Sequence, residues 1–284
     1  MPQVLTKQKR RWANQFKPKV IRGTPLNISA GLQERYKERL VKVVEKMADQ
    51  VEKELRRLFK KDHAIEFFAQ DASISSQARI LTNALISKFN KIFAELSKPL
   101  AEQMISEADK ASSLALHSSL KDLSGGLSLK TTSLSPELVD ILSASVTENV
   151  SLIKTISSKY LSGVQGAVMR SITTGGGMED LIPYLQRSKE ITKRRAKMIA
   201  YDQTRKAFNS LNKGRMDTLG IKEYEWLHSG GSNHPRKDHI RMSGNIYSLD
   251  DPPVIDQRTG ERGIPGQAPN CRCRMLPVIR FNEE

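Results

Sequence analysis

AYDQTRKAFNSLNKGRMDTLGIKEYEWL, residues Ala200–Leu227, is the stretch where the texture of the chain changes from helix to strand. Upstream of Gly220, Ala207, Phe208 and Leu211, with Met198 and Ile199 before them, recur at helical spacing within a basic segment that runs from Ile191 to Leu219. Gly220 closes that pattern. Lys222-Glu223-Tyr224-Glu225-Trp226-Leu227 then alternates polar with apolar, the period of a strand with one buried face. The chain before this point reads as a succession of helices, and the chain after it as short strands joined by loops.

Working back toward the N-terminus, Gly23-Thr24-Pro25 is turn-like, and Leu32, Tyr36, Leu40, Val44, Met47, Val51, Leu55 and Leu58 follow at gaps of three and four. A second row runs Ile74, Ala78, Leu81, Leu85, Phe89, Ile92 and Leu96, after which Pro99 marks a kink or the first turn of a third helix reaching about Leu120. Residues 124–134 are polar and rich in Gly, Ser and Thr, which predicts a linker. Ser135-Pro136-Glu137 supplies an N-cap, a proline at the first helical position and an acid in the first turn. This helix is expected to reach Tyr160 and to continue over Val164–Thr173, where Gly175-Gly176-Gly177 ends it. No Gly-Lys-Ser/Thr follows those glycines and no strand precedes them, so a nucleotide-phosphate loop is not indicated. Met178–Gln186 is expected as a short helix of its own. Beyond Ser229 the chain is rich in proline and glycine. The fold class expected is mainly α: an elongated helical N-terminal region followed by a small loop-rich α+β C-terminal domain. The domains expected are a basic flexible arm at 1–30, a helical domain at 31–189 and a C-terminal domain at 190–284.

Charge is the strongest compositional signal. The net charge is +15 over 284 residues. Residues 1–61 hold 17 Lys and Arg against 6 Asp and Glu, whereas residues 62–189 hold 12 against 13. Lys7, Lys9, Arg10, Arg11, Lys17, Lys19 and Arg22 precede the first acid, with Trp12 and Phe16 among them. Such an arm can follow the phosphates of double-stranded DNA and release their counterions, although charge alone carries no base readout. It can equally be a solvated tail or pair with an acidic protein. No stretch approaches the roughly 20 apolar residues of a membrane span, and no apolar run follows the N-terminal charges as in a secretory signal, so no membrane partner is expected. Two cysteines one residue apart do not make a disulfide framework, and synthesis in a reducing cytoplasm is expected.

Ala200–Asn209 leads to Gly214 and Tyr224-Glu225-Trp226. Then come Arg236-Lys237-Asp238-His239, Ser243-Gly244, Asp251-Pro252-Pro253 and Pro269-Asn270-Cys271-Arg272-Cys273. In order and spacing this resembles the Mu F-like family of phage minor head (head morphogenesis) proteins, over about residues 165–280. Asn233-His234 stands where the family pattern leads one to expect an acid before the histidine. The resemblance implies a virion protein, inside the capsid or at the portal vertex, made in the host cytoplasm. Its implied partners are the portal protein, other head proteins and packaged DNA, and in some phages such proteins leave the head with the genome. Self-association through the N-terminal helices fits the same picture.

Three readings are open for His234, His239, Cys271 and Cys273. Two close pairs of nitrogen and sulfur donors can close a tetrahedral zinc site, the one cofactor the sequence suggests. Alternatively, His239 hydrogen-bonds inside a polar core while the cysteines pack as small apolar residues. A disulfide within Cys-x-Cys is the third. Enzymatic chemistry has thinner support: His234, Arg236, Asp238 and His239 can be cast as a nuclease centre, but no metal-binding pair of carboxylates is visible, and no catalytic residue is assigned. A cellular DNA-binding protein is the remaining class, with Lys193, Arg194, Arg195, Lys197, Arg205 and Lys206 on the Ile191–Leu219 helix entering a groove.

Replacing Lys7, Lys9, Arg10, Arg11, Lys17, Lys19 and Arg22 together by alanine should weaken duplex binding. It should also flatten its salt dependence by about 0.9 in log K per log salt for each phosphate that the arm no longer neutralises. Fluorescence anisotropy over a salt series measures both, and an unchanged slope excludes the arm from DNA binding.

Overall fold

Leu32, Tyr36, Leu40, Val44, Met47, Val51 and Leu55 are all buried along α1 (Ala30–Asp62), so one apolar stripe is the reason this segment is a helix with a fixed inner face. Phe59, four residues beyond Leu55, takes the next inner place, and Leu58 is only partly covered. The computed structural model describes residues 20–62, 73–121, 135–230 and 235–280, with backbone alone at 61 and 62. Among them the other helices are α2 (Ile74–Lys121), α3 (Pro136–Thr173), α4 (Met178–Thr218) and α5 (Lys237–Met242). The strands are β1 (Val20–Arg22), β2 (Glu223–Leu227), β3 (Ile246–Ser248), β4 (Val254–Asp256), β5 (Glu261–Arg262) and β6 (Arg274–Arg280). The protein is mainly α with a small α+β part toward the C-terminus, as the sequence pattern implies. The linker expected near 124–134 lies outside the described residues.

Two helices differ from the sequence expectation. The buried row of α2 is Ala78, Thr82, Leu85, Phe89, Phe93 and Ser97, while Leu96 faces outward. Thr82 and Ser97 can occupy the inner row because each hydroxyl donates within its own helix, Thr82 Oγ1 to the Ala78 carbonyl at 2.8 Å and Ser97 Oγ to the Ala94 carbonyl at 2.9 Å. A hydrophobicity pattern does not register such residues as core. Pro99 lies inside α2, not at a helix start. Likewise Met178–Gln186 and Ile191–Leu219 are not two helices: α4 is continuous. Leu181, Leu185, Thr192, Ala196 and Ala200 keep one inner row through the polar stretch, whose residues simply occupy the outer face.

The chain divides into two compact units. One comprises Ser29–Asp109 and Val139–Ala207, and is a bundle built from α1 and the greater parts of α2, α3 and α4. Polar side chains cross its interior. The Tyr36 hydroxyl donates to Asn149 Oδ1 at 3.1 Å, Asn149 Nδ2 donates to the Ser145 carbonyl at 2.8 Å and to Gln203 Oε1 at 3.3 Å, and Gln203 Nε2 donates to Glu148 at 2.9 Å. Burial raises the Tyr36 phenol well above its ordinary pKa, so it stays a neutral donor. Arg35 and Arg39 of α1 both hold Glu107 of α2, at 2.8 and 3.0 Å. Burial opposes ionisation of that carboxyl, and the two guanidinium bonds outweigh it, keeping it below the ordinary glutamate range.

The other unit comprises Met1–Ile28, Lys110–Leu138 and Phe208–Glu284, within the described ranges. Its sheet is antiparallel in the order β1-β6-β2-β3, with Trp226 opposite Met275 and Val20 opposite Arg280. Alternation places Tyr224 and Trp226 inside, as the sequence of β2 predicts. The arm expected over 1–30 is folded from Val20 onward: β1 joins the sheet edge and Leu26 is buried beside Phe208, Trp226 and Met275 in the core. Its partner strand is more than 250 residues away, so no local pattern marks it. Gly23 is required here because a Cβ would stand 2.5 Å from Ser119 Oγ. Pro277 is tolerated in β6 because its carbonyl accepts from Gly23 N–H, which places its own donor-less nitrogen where β1 has ended.

Tyr36→Phe removes the donor for Asn149 without opening a cavity. Urea denaturation should show a loss of about 1–3 kcal/mol, and no loss would mean that the polar chain does not pin the bundle.

Candidate metal centre

Three connections build this site in the sheet-containing unit. After β2 the chain leaves for α5 and returns to the same strand, where Trp226 N–H donates to the Asn245 carbonyl at 2.9 Å and Gly244 N–H donates to the Trp226 carbonyl at 2.8 Å. This fixes α5 against the sheet with His239 and Met242 inward. The β4–β5 hairpin supplies Ile255, which is buried. The third connection is a tight turn just before β6. Cys271 N–H donates to the Ala268 carbonyl at 2.9 Å across Pro269 and Asn270, and Asn270 has φ of 57°. Proline at the second turn position and asparagine with positive φ at the third is the chemistry of a type II turn. Arg236, one helical turn before His239, donates Nη2 to the Pro269 carbonyl at 2.8 Å. The Arg-x-x-His spacing therefore has a physical meaning: the arginine holds the turn that carries the cysteines, and the histidine faces them.

His239 is 2% exposed, and Cys271 and Cys273 are each 4% exposed. Nδ1 of His239 lies 3.4 Å from Cys271 Sγ and 3.6 Å from Cys273 Sγ, and the three donor atoms all lie within 4.8 Å of one another. Both cysteines are free thiols. On the far side of the ring, Nε2 is 3.1 Å from the Ile255 carbonyl. A carbonyl can only accept, so Nε2 carries a hydrogen. The Trp226 ring meets the imidazole edge-on, with centroids 5.2 Å apart.

Electrostatics in the trio follow from its hydrogen bonds. The Cys273 thiol, and after it His239, hold the Cys271 thiol well below its ordinary pKa, against burial that raises it. Cys273 moves the opposite way, raised by its bond to Cys271 and by burial. His239 is raised chiefly by its bond to Cys271, while burial works against that shift. A nitrogen and two sulfurs so arranged suit a thiophilic cation such as zinc.

Of the four candidate ligands, His239, Cys271 and Cys273 come together, and His234 lies outside the described residues. Sequence reasoning missed the supports. Trp226 was legible only as an inward strand residue, and the Ile255 carbonyl leaves no side-chain signal at all. Of the arm, Lys7, Lys9, Arg10, Arg11, Lys17 and Lys19 lie outside the described residues. Arg22 sits on β1, with Nε 2.7 Å from Glu225 Oε2.

Residues 162–276 match the family described as "Phage Mu protein F like protein", a segment that contains β2, α5 and the whole trio. The resemblance carried by the motifs therefore holds over this segment. An uncharacterized protein of Haemophilus influenzae is 29% identical over 289 residues, covering 100% of this chain. Uncharacterized protein YqbB of Bacillus subtilis is 24% identical over 122 residues, or 42% of the chain. The chain spans 60% of the length of the first relative, and the second alignment covers 37% of YqbB. No solved structure matches the chain significantly.

Asn270→Val should lower stability by about 1–2 kcal/mol, because a β-branched residue resists positive φ, whereas Asn270→Gly should be tolerated. Thermal melts of the two variants side by side test the turn, and equal melting temperatures would remove it as a constraint.

Proposed function

We propose that this chain is a minor head protein of a tailed bacteriophage that acts in head morphogenesis at the portal vertex, beside the packaged DNA. The observation that carries the proposal is the family match over residues 162–276. Charge supports it independently. A chain with net charge +15, and with its basic surplus concentrated near the N-terminus, suits a place next to close-packed phosphates. The virion is then its site of action, and the portal protein, other head proteins and double-stranded DNA are its partners. The resemblance also extends the proposal to ejection with the genome, and the stripes on the N-terminal helices extend it to contacts between sibling copies.

Several residues that the competing readings would use are engaged in internal contacts. For a nuclease, His239 is buried with both ring nitrogens engaged, Arg236 is bound to the Pro269 carbonyl and Asp238 pairs with Arg241. For a groove-reading helix, Lys193 pairs with Glu45 at 3.0 Å, Arg195 donates to Thr155 at 3.0 Å, and Lys206 pairs with Asp202 at 3.1 Å. Lys197 and Arg205 lie over the Tyr201 ring. A cation committed to a neighbour in its own fold must give up that partner before it can take a phosphate.

Co-expression with the portal protein of the source genome, followed by size-exclusion chromatography with light scattering, tests the proposal. A stable complex with few copies of this chain per portal ring is the expected outcome. A chain that elutes alone while binding DNA tightly would replace the head-assembly reading with a DNA-binding one.

A further inference from the structure

We propose that His239, Cys271 and Cys273 are three protein ligands of a structural zinc ion that ties α5 and the turn before β6 into one core. The inference does not depend on the phage assignment, because it uses only the geometry of the trio.

The tautomer is the first argument. Nε2 of His239 donates to the Ile255 carbonyl, so in the neutral ring Nδ1 bears the lone pair, and that lone pair faces two sulfurs. One lone pair can accept one thiol proton. A second sulfur 3.6 Å away adds no bond to that lone pair, whereas a cation seated between the three atoms engages all of them. A ring whose remote N–H donates to a backbone carbonyl is also how a protein orients a histidine toward a metal.

Distances give the second argument. Zinc bonds of about 2.3 Å to sulfur and about 2.0–2.1 Å to nitrogen, at a tetrahedral angle, imply S···N edges of about 3.6 Å. The edges here are 3.4 and 3.6 Å.

The third argument is the set of donors aimed at the sulfurs. Cys273 N–H donates to Cys271 Sγ at 3.4 Å. Trp226, whose ring packs against His239, brings its indole N–H into the same buried neighbourhood. That indole N–H is buried and makes no hydrogen bond of good geometry, which leaves it poorly compensated beside a neutral thiol. Two metal-bound thiolates would be strong acceptors for these donors. Nitrogen and sulfur ligands select zinc over magnesium or calcium, and burial of all three residues makes the site structural. Among the described residues no further His, Cys, Asp or Glu joins the three, leaving one tetrahedral position for another donor.

The full-length protein, purified under reducing conditions from zinc-supplemented cells, should contain about one zinc per chain by elemental analysis. Cobalt substitution of the unaltered protein should give a sulfur-to-cobalt charge-transfer band and the intense visible bands of tetrahedral coordination. Stripping the metal should lower the melting temperature, and zinc, but not magnesium, should restore it. Cys273→Ser should lose the bound zinc, while His239→Cys, which keeps three protein ligands, should retain it. If Cys273→Ser fails to fold, the cobalt spectrum of the unaltered protein still decides the matter. Metal-free protein that melts at the same temperature with and without zinc, its two thiols free, overturns the proposal in favour of a hydrogen-bonded trio. A mass lighter by two hydrogens under reducing conditions overturns it in favour of a Cys271–Cys273 disulfide.

Discussion

An imidazole with a neighbour on each nitrogen holds the sheet-containing unit together. His239 touches the β4–β5 hairpin through the Ile255 carbonyl, the turn before β6 through both cysteines and β2 through the Trp226 ring. These segments have little regular structure of their own; the strands other than β2 and β6 are two or three residues long. Short strands bury too little apolar surface to set their own positions, so polar contacts of fixed direction must locate them. The positive φ of Asn270 and the bond from Arg236 to the Pro269 carbonyl serve the same end, because they aim the cysteines at the ring.

The helical unit solves its packing differently. Its inner rows are long and apolar, and such rows leave the sliding of one helix along another weakly determined. Tyr36, Asn149 and Gln203 remove that freedom, since each can satisfy its hydrogen bonds only in one register. Glu107, shared by Arg35 and Arg39, locks α1 to α2 nearer the surface. Similar economy appears in Thr82 and Ser97, which sit in the core because their own helix accepts their hydroxyl protons.

Charge is distributed unevenly between the N-terminal segment and the rest of the chain. Within the folded part, many basic side chains are already paired with acids, as in Lys189 with Asp49 and Arg280 with Glu223. The first 22 residues hold seven Lys and Arg and no acid, and of these Arg22 pairs with Glu225 across the sheet. Beyond Arg22 the Lys and Arg still outnumber the Asp and Glu, so the ion pairs of the fold leave part of its positive charge uncompensated.

Periodicity and short motifs suffice for the helical class, the inner face of α1, the strand character of Glu223–Leu227 and the family resemblance, because each depends on residues close together in the chain. The sequence also singled out His239, Cys271 and Cys273, because donor side chains announce themselves by type. The remaining features arise from long-range contacts and from backbone groups that carry no side-chain signal. β1 exists only because β6 reaches it from the other end of the chain. The continuity of α4 through its polar stretch depends on which face met solvent. The contact that orients His239 comes from a main-chain carbonyl, which every residue possesses and no sequence pattern can distinguish.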